Sequence, residues 1–250
     1  MYNEMTKDFY FVQIVPRGLK SFWRMSQMSD ETIQRKCNMR VLVACEFSGV
    51  VRNAFREKGC DAWSCDILPN EDNSQYHIQG DVLNHLNEGW DLMIAHPPCT
   101  YLSNAGIAWF NEEKYGEKAK QRKMLRLDAM DFVMKLYESG IDKICIENPT
   151  GYLNSHWRKP DQVIQPYYFG DNESKRTCLW FKNLPPLKHT DVVKPKIYAY
   201  YKRGRKKGQP MYGNSYMKFS KDRGHIRSIT FQGMANAMAN QWSYNSLEEK

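Results

Sequence analysis

Two hydrophobic patterns take turns along this chain. Short continuous apolar runs, at Val41–Cys45, Leu92–Ala95 and Ile144–Ile146, end abruptly. Between them lie longer stretches whose apolar residues recur every three or four positions. Continuous runs of this length are strands covered on both faces, as in a parallel sheet, and the wider spacing marks the helices that cover them. The pattern predicts a strand over 40–45, a tight turn at Glu46–Gly49, and a helix over Val50–Lys58 stopped by Gly59. A second strand follows over 61–66 and a short one over 77–82, with Asp81 placed to cap a turn over Val82–Leu86. The central strand is 91–95. Residues 100–116 read as an aromatic loop of lid type. From Lys118 to about Glu138, Leu125, Ala129, Phe132, Val133 and Leu136 share one face of an amphipathic helix ended by Gly140. A strand over 143–146, an antiparallel pair over 167–170 and 177–181, and a helix over 228–242 complete the set. Strands alternating with helices imply an α/β, Rossmann-like fold with helices on both faces of the sheet.

Residues 1–38 show no sustained period; Phe9, Tyr10, Phe11 and Trp23 are scattered among basic residues. They read as a loosely attached extension, or as an over-long start with Met39 as the working initiator. An edge strand over Phe9–Val15 with a helix over Asp30–Lys36 is the alternative. The core, 39–186, closes at Pro185-Pro186. Over 187–228 the apolar period fades and basic residues dominate. Residues 229–250 return as a helix packing back on the core, with a frayed end.

Composition narrows the choice. A chain of 250 residues with 42% hydrophobic and 26% charged residues builds a packed core. A formal net charge of +8 favours a polyanionic partner. The seven cysteines include no CxxC, so neither a metal site nor a disulfide framework is expected, and free thiols point to a reducing cytoplasm. No apolar run approaches the ~20 residues that span a bilayer, and the start lacks the features of a signal peptide.

The chemistry gathers at strand ends. The strand 91–95 runs through His96 into Pro97-Pro98, where a missing N–H and a fixed φ stop it, and Cys99 follows at once. Open α/β sheets place their chemistry just past the carboxyl ends of strands. A thiolate there is suited to adding to an electron-poor ring carbon; the same placement also serves a half-buried cysteine used as a soft apolar residue. The strand 143–146 runs into Glu147-Asn148-Pro149. Glu147 is the first candidate acid, or else the cap of a helix over Thr150–Asn154. Gly49 in Phe47-Ser48-Gly49 would let the backbone approach a nucleotide-type ligand. Asp66, about twenty residues on, is placed to accept from ribose hydroxyls, or to cap a turn. Lys202, Arg203, Arg205, Lys206 and Lys207 sit among tyrosines that include Tyr198, Tyr201 and Tyr216. Cations neutralise phosphates and aromatic rings stack on bases, although many charge runs are only solvated loops.

Between Arg40 and Trp242 the order of these motifs resembles the C5-cytosine DNA methyltransferase family, in particular its short stand-alone members carried by bacteriophages and prophages. Phe47-Ser48-Gly49 looks like the family's first cofactor motif, with Val50 and Val51 where further glycines are usual. Asp66 and Asp81 stand at its ribose-binding and adenine-binding acids. Pro97-Pro98-Cys99 with Ser103 resembles the catalytic Pro-Cys motif and its loop, with Thr100 in place of a glutamine. Glu147-Asn148 matches the Glu-Asn motif, and Lys175-Arg176 the basic motif that supports the base. Gly233 to Met238, with Asn236 and Ala237, resembles the last motif, which packs against the cofactor site.

The resemblance implies an S-adenosyl-L-methionine-dependent methyltransferase sheet acting on double-stranded DNA as a monomer in a bacterial or phage-infected cytoplasm, with no metal. It implies Cys99 as nucleophile at cytosine C6, Glu147 on the N3/N4 edge, and Arg176 on O2 with Lys175 as the competing assignment. Phe47, Ser48, Gly49, Asp66, Asp81, Pro97, Asn236 and Ala237 are the implied cofactor contacts. Ser103, Lys175 and the cluster Lys202, Arg203, Arg205, Lys206 and Lys207 are the implied nucleic-acid contacts. The segment 187–228 is short for a target-recognition domain. Rival readings are an inactive DNA-binding relic of the fold, an amino-methyltransferase built on the Pro-Pro motif, and an RNA cytosine methyltransferase.

Overall fold

The computed structural model describes residues 37–217, 220 and 223–243, the side chains of 214 and 215 apart. Up to residue 36 the expected extension, with its alternative strand and helix, lies outside the described residues, as does the frayed end after 243.

Among the described residues, seven strands form one sheet: β1 (Arg40–Ala44), β2 (Asp61–Asp66), β3 (His77–Gln79), β4 (Leu92–Ala95), β5 (Lys143–Pro149), β6 (Gln162–Ile164) and β7 (Thr177–Lys182). Their order is β3-β2-β1-β4-β5-β7-β6, and only β7 runs antiparallel to its neighbours. Alternate residues serve opposite faces, which is why both had to be apolar. Val41, Val43, Leu92 and Ile94 pack toward Phe55 of helix α1 (Val50–Glu57) and toward Met234 and Met238 near the C-terminus. Leu42, Ala44, Met93 and Ala95 pack toward Val133 and Leu136 on the opposite side. Full burial of each large apolar side chain contributes roughly 1.5–3 kcal/mol. The molecule is thus an α/β structure with a mostly parallel sheet flanked by helices, compatible with the Rossmann-like expectation.

Several elements differ from the sequence reading. Residues 100–116 are not an open loop: Asn104–Phe110 is a 3-10 helix and Glu112–Tyr115 a short helix, α2. Arg126 stacks on Phe110 and donates Nε–H to the Tyr101 carbonyl (3.0 Å), and Arg122 donates to the Thr100 carbonyl (3.0 Å). Both arginines belong to α3 (Glu117–Tyr137), so this segment is clamped to the long helix. The antiparallel partner of β7 is Gln162–Ile164 rather than 167–170, because Pro166 starts a 3-10 turn over Pro166–Tyr168. The helix after β5 begins late, as α4 (Tyr152–His156). Lys202 to Lys207 form the tip of a hairpin, β8 (Ala199–Tyr200) and β9 (Pro210–Met211), followed by α5 (Gly213–Tyr216). The helix expected over 228–242 begins later, as α7 (Gln232–Trp242), and a separate short helix, α6 (Arg223–Ser228), precedes it in the basic segment. Cys37 and Cys60 form a disulfide, so the expectation of free thiols throughout fails at this pair; five other cysteines are free. No described helix is long and apolar enough to cross a membrane.

Candidate functional site

Four parallel strands deliver their carboxyl ends to one edge. β1 ends at Cys45 and Glu46, β2 at Asp66, β4 at His96, and β5 presents Glu147. The order turns back on itself between β1 and β4, and that is where crevices form in such sheets. A cavity of about 1300 Å³ opens there. It is lined from one side by Phe47, Ser48, Asp66 and Asp81, and from the other by Cys99, Ser103, Glu147, Lys175 and Arg176. Small-molecule sites commonly occupy about 300–1000 Å³, and this cleft is larger than that range.

Among the described residues, Cys99 is the one exposed free cysteine. Although the residue is open to solvent, partial desolvation of the thiol at the cavity wall pushes its pKa up and the Glu147 charge adds to this, against the opposing pull of Lys175 and Arg227. The thiol therefore gives up its proton less readily than an ordinary cysteine. Cys45 and Cys65 also line the cavity, but burial holds both thiols protonated, Cys65 up to about 12.

Glu147 does not cap the following helix. At the start of that helix the Gly151 N–H donates to Asn154 Oδ1 (2.8 Å). The Glu147 carboxylate instead receives a hydrogen bond from His96 Nδ1 at 3.1 Å, a partner that no motif in the sequence marks. Burial pushes this carboxyl up, but the His96 hydrogen bond and the charge of Lys175 outweigh it and hold the pKa below the ordinary value. Asn148 donates to the Pro97 carbonyl at 2.8 Å and ties the turn before Cys99 to β5. Arg176 donates Nε–H to Thr150 Oγ1 (3.1 Å), which places its guanidinium at the cavity wall beside Lys175.

On the opposite side, Asp66 Oδ1 accepts from the Leu68 N–H (2.9 Å) and Asp81 Oδ1 from the Leu83 N–H (3.0 Å). Each acid thus caps a local turn, Asp81 over the shorter 3-10 segment Val82–Asn84, while its Oδ2 takes no protein hydrogen bond among the described residues. Turn cap and ligand acceptor are compatible here, because a carboxylate has two oxygens. Glu46, buried and belonging to no sequence motif, accepts from the Val51 N–H (2.7 Å) and the Arg52 N–H (3.2 Å) and so caps α1 from inside the cavity wall.

Three implied cofactor contacts sit elsewhere. Gly49 does have φ +73°, as its turn requires, but it does not line the cavity. Its missing Cβ makes room for the guanidinium of Arg52, a fully buried residue paired with Asp72. Asn236 and Ala237 are also absent from the lining: Ala237 is buried in the core, and Asn236 accepts from Gln232 (2.8 Å). Ile229 and Thr230, in the break between α6 and α7, line the cavity instead. A helix starting at Gln232 turns Ala237 toward α1 and the sheet, which the motif resemblance did not capture.

Lys202, Arg203, Arg205, Lys206 and Lys207 are exposed on the hairpin tip and outside the cavity. The base of the hairpin is anchored near the site: Tyr198 hydroxyl bonds Glu173, and the Lys196 N–H donates to the Asn172 carbonyl (2.6 Å). The stretch Asn172–Glu173 leads directly into Lys175 and Arg176.

Gly151 holds the two halves of this face together. Ser103 bridges to it, and the Tyr152 N–H donates to the Leu102 carbonyl (2.6 Å). A Cβ at 151 would overlap that carbonyl oxygen. Gly151→Ala is expected to destabilise the protein by about 1–3 kcal/mol, as overpacking does, and to shift the segment after Cys99. Urea unfolding reads the first effect; the Cys99 alkylation rate reads the second.

A scan against protein-family models found no match to this chain, and a search of curated protein sequences found none either.

Proposed function

We propose that this protein transfers a methyl group from S-adenosyl-L-methionine to C5 of cytosine in double-stranded DNA, through a covalent bond between Cys99 and C6. One observation supports it above the rest: Cys99, Glu147, Lys175 and Arg176 line the same cavity as Asp66 and Asp81. The residues present suit the donor. Asp66 and Asp81 each keep a carboxylate oxygen for ribose and adenine respectively, and the lining side chains Ile67 and Leu68 are 74% and 50% exposed, an apolar wall for the purine. S-adenosyl-L-methionine, when bound, supplies an electrophilic methyl group.

The target atoms are stacked inside a duplex, so the base must be turned out to reach Cys99. The sulfur bonds to C6, the thiol loses its proton, and N3 gains one. Glu147, held as a carboxylate, stabilises the protonated N3 and the N4 edge as charge develops there. Arg176 donates to O2. C5, now enamine-like, would bond to the methyl carbon as that carbon's bond to the donor's sulfur breaks, with S-adenosyl-L-homocysteine as the leaving group. The C5 proton then passes to solvent as the C6–S bond breaks, and the proton held at N3 returns to the departing sulfur, so Cys99 is again the thiol. Ser103, on the segment after Cys99, faces the strand that carries the base.

The deciding assay is incubation with methyl-labelled S-adenosyl-L-methionine and bacterial DNA, followed by nucleoside analysis. 5-Methylcytosine is the expected product. An N-methylated base, or labelling of RNA alone, would replace this reading, and a chain that binds DNA without labelling it would be a relic of the fold. The hairpin has its own signature. Replacing Lys202, Arg203, Arg205, Lys206 and Lys207 by alanine should weaken DNA binding uniformly across sequences and reduce the salt slope by about 1 for each phosphate no longer neutralised. Binding isotherms at several salt concentrations read both.

A further inference from the structure

We infer that His96 is a positioning residue for Glu147: its Nδ1–H holds one carboxylate oxygen, and the other is left for the target base. The inference rests on the methyl-transfer reading above. Its geometry is independent of that reading.

His96 follows β4 directly and precedes the double proline that carries Cys99. Its side chain is 8% exposed and that of Glu147 12%, so their 3.1 Å hydrogen bond is shielded from water. The contact joins the ends of two neighbouring strands, β4 and β5. No other hydrogen bond among the described residues reaches the ring: Nε2 is buried without one, so the imidazole's hydrogen bonding goes entirely to Glu147. On the carboxylate, the contact is to Oε2, and Oε1 takes no protein hydrogen bond among the described residues. Adjacent prolines at 97 and 98 stiffen the backbone that follows. The ring's backbone is further held by the His96 N–H, which donates to the Ala44 carbonyl at 2.9 Å.

Three further charged groups surround this pair and the neighbouring Cys99. Glu46, at the β1–α1 turn, faces His96. Lys175, ahead of β7, faces Glu147 and Cys99. Arg227, on α6, faces Cys99. Among these groups His96 is the one that hydrogen-bonds Glu147. Its removal therefore takes away both an orientation and a stabilised negative charge, and Lys175 is left as the remaining source of the second.

The test compares wild type with His96→Ala and His96→Asn, the latter because an asparagine amide can reach the position of Nδ1. Methyl transfer should fall about tenfold to a hundredfold in His96→Ala and recover largely in His96→Asn. In the same proteins, the Glu147 carboxyl is titrated by carbon-13 NMR, with its signal assigned through Glu147→Gln. Its midpoint should rise in His96→Ala and return toward wild type in His96→Asn. A Glu147 midpoint unchanged by His96→Ala in the folded protein overturns the inference, as does an asparagine variant no better than alanine in both measurements. A wild type that transfers no methyl group, while the Glu147 midpoint still responds to His96, overturns the proposed function instead and leaves the contact as a structural pair.

Discussion

Cys99→Ala should abolish methyl transfer, a loss of at least about 10³-fold, the scale expected when a covalent nucleophile is removed. Binding of S-adenosyl-L-methionine should survive, because Asp66 and Asp81 hang on β2 and the segment after β3 and do not depend on the sulfur. Calorimetry checks the binding, and trapping on 5-fluorocytosine DNA checks the adduct: wild type forms it and the variant does not. Transfer at the wild-type rate by purified Cys99→Ala would remove Cys99 from the chemistry. The same thiol carries a pH prediction. Partial desolvation and the Glu147 charge raise its pKa, so the thiolate becomes the main form only above the midpoint of an ordinary cysteine, about 8.5. The rate of iodoacetamide labelling at Cys99 should therefore still be climbing past that pH. Cys65, Cys145 and Cys178 are buried and Cys45 half-buried, which makes the label assignable by peptide mass.

Glu147→Gln should slow transfer by about 10²–10⁴-fold, the range for loss of a positioned acid–base group. The substitution keeps the shape and can still accept from His96, so the loss measures charge rather than packing. Its effect on Cys99 runs the other way. The Glu147 charge is one of the groups that hold the thiol up, and removing it should lower the pH midpoint of alkylation. A variant that ionises Cys99 more easily yet methylates more slowly separates the two roles of the carboxylate. Faster transfer in Glu147→Gln would mean that Glu147 only restrains the nucleophile. In wild type the depressed Glu147 pKa keeps the carboxylate ionised until the pH falls below the ordinary carboxyl range, so loss of the Glu147 charge should not be what limits activity in mild acid.

The amino-acid order by itself determined the sheet. Runs such as Leu92–Ala95 are apolar at every position, and only a strand covered on both faces uses all of them. Stop signals at Gly59, Gly140 and Pro97-Pro98 act through local backbone restrictions, so the ends of α1, α3 and β4 were legible within a few residues. Cys99, Glu147 and Asp66 were legible as candidates because strand ends in such a sheet converge. Tertiary structure alone decided what each one touches. His96 became a partner of Glu147 only when β4 and β5 lay side by side, a contact across 51 residues that no local spacing encodes. Gly49 served Arg52 rather than the cavity, and Ile229 and Thr230 replaced Asn236 and Ala237 in its wall, because helix phase is set by packing against α1. The clamp of Arg122 and Arg126 on the segment after Cys99 was hidden for the same reason: cation–aromatic contacts depend on where two helices meet, and a sequence pattern reports only which face is apolar.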